Sequence, residues 1–189
     1  MKYLIILLSL VPMIGMAVFF LYGSGIEWFD ASIVWLENAF SFTLPTVNNK
    51  LYYLSKVAGI SALWILILAF WVNPLHTYVR FDLREFKKLL GGFAVAYALL
   101  HLVFFIAAHQ FALSHLGKLF FSHLFLSVGF GALLVLSIAP NIKAWYKLLY
   151  IGVVLVIIHL LLGYRSLSDL HIVAISLLSL GLALRLIKR

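Results

Sequence analysis

Two histidines stand out because they lie deep inside long apolar segments, where an ionisable side chain is costly and usually faces the protein interior or a ligand. His101 follows Lys88 by 13 residues, and His159 follows Lys147 by 12 residues. At about 1.5 Å per helical residue, both side chains rise roughly 18–20 Å from the basic end of their segment. The spacing therefore predicts two imidazoles at the same depth on two parallel helices.

The helical faces that carry these histidines are suited to a bulky planar ligand. Small residues let helices approach closely, and aromatic rings can line a macrocycle. The row with His159 has glycine at both ends, and the row with His101 is small and aromatic. These rows are Gly152, Leu155, Val156, His159, Leu162 and Gly163, and Ala94, Tyr97, Ala98, His101, Phe104, Phe105 and Ala108.

The chemistry open to such a pair is axial ligation of a haem iron, because neutral imidazole suits iron in an apolar site. The chain has no cysteine that could compete as a ligand. The alternative is that both histidines are packed, hydrogen-bonded residues, and the residue pattern leaves both interpretations open. The other five lie in connections or near helix ends, where water can reach them: His76, His109, His115, His123 and His171.

The elements that carry these residues are membrane-spanning helices. Of the 189 residues, 65% are hydrophobic and 11% charged, far from the balance of a soluble domain. Backbone groups in lipid must be satisfied within the segment, which favours helices, and the short alternating segments of a barrel are missing. We expect an all-α, six-transmembrane-helix bundle with a retained first anchor and helices at about 3–22, 51–72, 89–108, 119–139, 146–163 and 170–187. Asn73-Pro74 and Pro140 are expected to terminate helices.

The distribution of basic residues predicts the orientation of this bundle. With the N-terminus inside, ten of the fourteen Lys and Arg residues lie on the cytoplasmic side, which satisfies the positive-inside rule. Both termini are then cytoplasmic. The net charge of +8 is explained by this topology, so we do not expect nucleic-acid binding. The ten residues are Lys2, Arg80, Arg84, Lys87, Lys88, Lys143, Lys147, Arg185, Lys188 and Arg189.

The connection over residues 23–50 is rich in aromatic residues, among them Trp28, Trp35 and Phe40. Amphipathic rings favour the headgroup region, so this segment is interpreted either as a stretch along the outer membrane interface or as an ordinary loop with aromatic anchors.

The order of several short motifs resembles the haem-binding membrane subunits of periplasmic methionine-sulfoxide reductase systems, the MsrQ (YedZ) family of the ferric-reductase-like transmembrane superfamily. The resemblance covers most of the chain. The motifs are Leu10-Val11-Pro12, Asn73-Pro74-Leu75, Lys87-Lys88-Leu89-Leu90-Gly91, Leu100-His101, Leu116-Gly117-Lys118 and the segment from Tyr146 to His159.

This resemblance implies a single domain over residues 1–189 in a bacterial inner membrane, with haem b bound by His101 and His159. It implies electron transfer from the quinone pool or a flavin reductase to a periplasmic molybdopterin-dependent reductase subunit that repairs methionine sulfoxide, and it allows FMN as a second cofactor. Family members usually carry another histidine where this chain has Tyr146, so a second haem or quinone contact is expected to be altered or absent.

Other functions remain open on the sequence alone. A metal or proton transporter would be lined by histidines of the outer half, although no Asp or Glu falls inside a predicted span. These histidines are His101, His109, His115, His123, His159 and His171. A ferric-reductase-like haem protein with a different acceptor and a purely structural subunit are further alternatives. No Gly-rich dinucleotide fingerprint occurs, so if haem is bound we expect a relay subunit of an oxidoreductase system rather than its catalytic subunit.

Overall fold

The computed structural model describes residues 2–80, 83–109, 117–118, 124–142, 147–163 and 168–187. Within these ranges the chain is helical and contains no strand. Two short 3-10 turns, Arg84–Phe86 and Ala139–Asn141, and one π-helical turn, Leu75–Val79, adjoin the α-helices. The seven α-helices are α1 (Lys2–Leu21), α2 (Glu27–Phe40), α3 (Lys50–Pro74), α4 (Lys87–Ala108), α5 (Leu124–Ile138), α6 (Leu148–Gly163) and α7 (Asp169–Ile187).

Among the described residues, which form an all-α structure, four helical stretches are long and apolar enough to cross a membrane, consistent with a membrane protein. They are Tyr3–Leu21, Lys50–Val79, Arg84–Ala108 and Asp169–Ile187. The fourth and fifth predicted spans contain the shorter apolar helices α5 and α6. Parts of those two predictions, residues 119–123 and 146, lie outside the described residues.

The helix end predicted at Asn73-Pro74 is confirmed for the α-helix, since α3 ends at Pro74, but a π turn continues the helical backbone to Val79. A proline near a helix end removes only one donor, the one that would bond the carbonyl of Phe70. Arg185 of α7 donates to that carbonyl instead, with its guanidinium 4.0 Å above the Phe70 ring. Pro140 lies in the 3-10 turn Ala139–Asn141 that follows the end of α5 at Ile138, as predicted.

The aromatic connection before α3 contains a helix, α2, so it is not an ordinary loop. Its side chains Asp30 and Glu37 accept hydrogen bonds from the backbone N–H groups of Gly23 (2.8 Å) and Leu44 (2.6 Å). Both acids therefore hold the segments that flank α2. Ile33 is its buried residue, whereas the rings of Trp28, Trp35 and Phe40 are exposed.

Helix α3 lies at the centre of the bundle, between two apolar clusters. One cluster joins α3 to α1 and α4 and includes Phe19, Leu54 and Leu90. The other joins α3 to α6 and α7 and includes Ile67 and Leu178. Because α3 has helices on two sides, it fixes the positions of α4 and α6, which carry the two deep histidines.

The hydroxyl of Tyr97 on α4 attaches α4 to α1 next to Pro12. Tyr97 is 2% exposed, and its hydroxyl donates to the carbonyl of Ser9 (2.6 Å) and accepts from the N–H of Met13 (3.0 Å). In a regular helix these two α1 groups would bond each other, and Pro12 already lacks a donor at this turn. A side chain inserted into the ladder in this way ties α1 to the face of α4 that carries His101 one turn later.

Candidate haem-ligand site

Five of the seven histidines lie in the described residues, and the structure separates those inside helices from those at helix ends or in turns. His101 and His159 lie inside α4 and α6. His109 is exposed at the end of α4 and contacts the carbonyl of Phe105, while His171 contacts Ser168 at the start of α7. His76 lies in the π turn after α3. His115 and His123 lie outside the described residues.

His101 points from α4 onto the backbone of α3. Its Nδ1 is 2.7 Å from the carbonyl oxygen of Ser55 and 3.0 Å from the Ser55 hydroxyl oxygen. The hydroxyl also donates to the backbone carbonyl of His101 at 3.1 Å. Ser55 is 2% exposed, so this contact is inside the bundle. One residue of α3 therefore holds both the ring and the backbone of His101.

His159 makes the equivalent contact between the next two helices. Its Nδ1 lies 2.7 Å from the carbonyl oxygen of Phe125 on α5, and the rings of His159 and Phe125 are tilted with centroids 6.1 Å apart. As in the α3–α4 pair, the second helix of a hairpin supplies the imidazole and the first helix supplies the carbonyl. The two deep histidines thus occupy matching positions in two successive helix pairs.

Glycine makes both contacts sterically possible. In each pair a glycine follows the accepting carbonyl by four residues: Gly59 after Ser55, and Gly129 after Phe125. A Cβ added at Gly59 would lie 3.0 Å from Nδ1 of His101, and one at Gly129 would lie 2.6 Å from Nδ1 of His159. Each ring therefore turns its Nδ1–Cε1 edge to a turn of the neighbouring helix where a glycine carries no side chain.

The same packing occurs once more with a residue that cannot bind a metal. Trp71 of α3 donates its indole N–H to the carbonyl of Leu177 at 3.0 Å, and a Cβ at Gly181, four residues later, would lie 3.2 Å from that nitrogen. The arrangement of ring N–H, carbonyl and glycine is thus a general way of joining helices in this fold. What distinguishes the histidines is their second ring nitrogen.

The hydrogen bonds determine which nitrogen of each histidine carries the proton. A carbonyl oxygen can only accept, so Nδ1 of His101 and Nδ1 of His159 must both be donors. In the neutral ring Nε2 then has an unprotonated lone pair. A histidine that ligates a metal almost always donates its other N–H to a carbonyl, a carboxylate or water, which orients the ring and raises its basicity. Both rings have this arrangement.

The structure also brings the two rings into one region. Their separation is short enough for an electrostatic interaction between them, and both side chains are half-buried. Along the described ranges, no group of three or more His, Asp or Glu side chains is placed to hold a metal ion. A porphyrin supplies four equatorial donors itself and requires only axial ligands from the protein, so the donor chemistry of His101 and His159 fits haem.

Sequence reasoning identified the two imidazoles but missed the residues that hold them. Ser55, Gly59, Phe125 and Gly129 carry no distinctive motif, because the acceptors are backbone carbonyls, which every residue has. Gly152 and Gly163, which were predicted to lie on the His159 face, do face α5: their nearest neighbours are Leu136 and Phe125. Tyr146 lies outside the described residues.

Comparisons of this chain with protein-family models, with curated proteins and with solved structures found no match.

Proposed function

We propose that this chain is a haem b-binding electron-transfer subunit of a bacterial inner membrane, with His101 and His159 as the axial ligands. One observation carries the proposal: both deep imidazoles donate Nδ1–H to a backbone carbonyl of a neighbouring helix, which leaves Nε2 available. Packed histidines without a ligand would more often use both nitrogens for hydrogen bonds, because an unsatisfied polar atom in an apolar site is costly.

The chain's own residues would supply position and electronic tuning. Ser55 and Phe125 hold the two rings in one tautomer, and Gly59 and Gly129 let the rings approach the neighbouring backbones. Apolar surroundings limit access of water and thereby influence the redox potential. When bound, haem b supplies a one-electron carrier whose iron alternates between ferric and ferrous states.

The proposed topology has six spans with both termini in the cytoplasm. Four helical stretches in the described residues are long and apolar enough to span the membrane, and the shorter apolar helices α5 and α6 would form part of the other two spans. Support for the orientation comes from the ten basic residues on one side. In this arrangement α2 lies along the outer interface, since it connects the outer ends of α1 and α3 and exposes Trp28 (73%), Trp35 (67%) and Phe40 (71%).

The proposed electron route follows from the resemblance noted in the sequence. The quinone pool or a flavin reductase would donate electrons, with FMN as a further cofactor, and a periplasmic molybdopterin-dependent methionine-sulfoxide reductase would accept them. The ligand pair is compatible with this route because an axial pair of imidazoles supports electron transfer between separate partners rather than substrate binding at the iron.

The proposal is tested by visible spectra of the detergent-purified protein, oxidised and dithionite-reduced. We expect six-coordinate b-type bands in the wild type and loss or severe weakening of haem binding in His101→Ala and in His159→Ala, because each variant removes one axial ligand. His109→Ala is the matched control: it makes the same change at the end of α4, but this imidazole is exposed and contacts the carbonyl and the ring of Phe105, one turn earlier in the chain.

Normal haem content in both deep-histidine variants would defeat the ligand assignment. A wild type that stays colourless after haem supplementation would defeat the electron-transfer function as a whole and favour transport or a structural role.

A further inference from the structure

The two histidine contacts are alike in geometry but unequal in the acceptors that surround the ring N–H. Nδ1 of His159 faces the carbonyl of Phe125, a residue with no polar side chain. Nδ1 of His101 faces two oxygens of one residue, the carbonyl of Ser55 at 2.7 Å and its hydroxyl at 3.0 Å. The two ring N–H groups therefore differ in the number of acceptors around them.

The direction of each hydrogen bond around Ser55 can be assigned. Its carbonyl can only accept, so the proton between that oxygen and His101 belongs to Nδ1. The hydroxyl hydrogen points to the backbone carbonyl of His101, 3.1 Å from Oγ. The hydroxyl oxygen therefore turns a lone pair toward Nδ1–H, and this N–H is shared between two acceptors.

An acceptor at Nδ1–H shifts electron density toward Nε2 and makes the imidazole a stronger donor to a metal. A stronger axial donor stabilises ferric over ferrous iron, and hydrogen bonding around the ligands is one of the means by which proteins set redox potentials. Two acceptors act more strongly than one.

We propose that Ser55 is a positioning residue that makes His101 the stronger of the two axial donors and so lowers the reduction potential of the bound haem. This inference rests on the proposed function. It adds a specific role to the Ser55 hydroxyl, which is buried between α3 and α4. A serine with a purely structural role would bond a carbonyl of its own helix.

The test is a spectroelectrochemical titration of the full chain with Ser55→Ala. This variant removes the hydroxyl but keeps the carbonyl and the tautomer, so haem should stay bound. The expected result is a reduction potential higher than that of the wild type. Ser61→Ala is the matched control, because Ser61 lies on the same helix, is half-buried, and donates to the carbonyl of Val57 in its own helix. Its potential should equal that of the wild type.

An unchanged or lowered reduction potential in Ser55→Ala would overturn the inference. So would a variant that no longer binds haem, or one that loses thermal stability while its potential stays the same, because these results describe a structural serine. If the wild type binds no haem, the proposed function fails and the tuning role fails with it. The contact can still be tested on the haem-free protein by NMR of ¹⁵N-labelled histidine. We expect Nδ1-protonated rings at both sites and a ring N–H resonance of His101 that moves in Ser55→Ala, with that of His159 unmoved. A His101 resonance that does not move would show that the hydroxyl does not engage the ring.

Discussion

At the scale of single residues, a histidine can serve as a fixed ligand only if its free nitrogen is defined and its ring cannot rotate away. His101 and His159 meet both conditions through one short bond each, 2.7 Å, to a backbone carbonyl of a neighbouring helix. A backbone acceptor is well suited to this task, because a helix carbonyl cannot change rotamer as a side chain can. The ligand assignment therefore depends on helix packing as much as on the histidines themselves.

Replacing Gly129 by alanine should damage the His159 contact directly. The added Cβ would lie 2.6 Å from Nδ1 and 2.7 Å from Cε1 of His159, and the ring cannot retreat without stretching its bond to Phe125. Overpacking of this kind costs about 1–3 kcal/mol. If about 1.4 kcal/mol of that cost falls on the bound state, haem affinity drops roughly tenfold. The measurement is haem titration of the purified variant.

The same substitution at Gly131 provides the control. Gly131 lies on the same helix, and the nearest atom to its added Cβ is 3.9 Å away, so Gly131→Ala should bind haem normally. Gly59→Ala, with a closest approach of 3.0 Å, should fall between the two. Equal haem affinity in Gly129→Ala and Gly131→Ala would contradict the proposed packing of His159.

At the scale of helices, Pro12 and Pro74 each remove a backbone hydrogen-bond donor, and a side chain from another helix bonds the backbone at that turn. Tyr97 of α4 inserts its hydroxyl beside Pro12 of α1, and Arg185 of α7 bonds the Phe70 carbonyl that Pro74 leaves without a helical donor. Each contact bonds a backbone group at an interrupted turn of one helix and thereby attaches that helix to another. The positions of α4 and α7 against their neighbours are thereby set by polar contacts within an apolar bundle.

Tyr97→Phe should weaken the attachment of α1 to α4. It removes one buried hydroxyl that makes two bonds, but α1 can recover part of the loss by closing Met13 onto Ser9, so we expect a cost of about 1 kcal/mol rather than several. Thermal denaturation in detergent should show a lower midpoint than for the wild type. Tyr3→Phe is the control, since Tyr3 is 84% exposed. Identical midpoints for both variants would refute the role of the Tyr97 hydroxyl.

The helices and the two deep histidines could be predicted from the sequence, because apolar run length and the distance from a basic end are local properties. The π turn that follows α3 after Pro74 could not, since the compensating donor Arg185 is separated by 115 residues from the carbonyl it bonds. Ser55 and Gly59 were missed for the same reason: their importance arises only when α4 packs against α3. For α2, the aromatic residues predicted a position along the membrane interface, but they did not predict that the segment is a helix.

At the scale of the whole molecule, the bundle presents one imidazole from each of two helix pairs. The pair α3–α4 holds His101 and the pair α5–α6 holds His159. Helix α3 also packs against α6 and α7, so it links the two pairs. A ligand held by both histidines would join the pairs further, and in the proposed function this ligand carries electrons across the bundle.

The most direct test of this account is electron paramagnetic resonance of the oxidised, haem-loaded wild type. Two neutral imidazoles at one iron predict a low-spin ferric signal of the bis-histidine type, and replacing either histidine by alanine should convert it to a high-spin signal or abolish it. A high-spin wild type, or a low-spin signal that survives in both His101→Ala and His159→Ala, would contradict the central claim that these two residues bind the iron together.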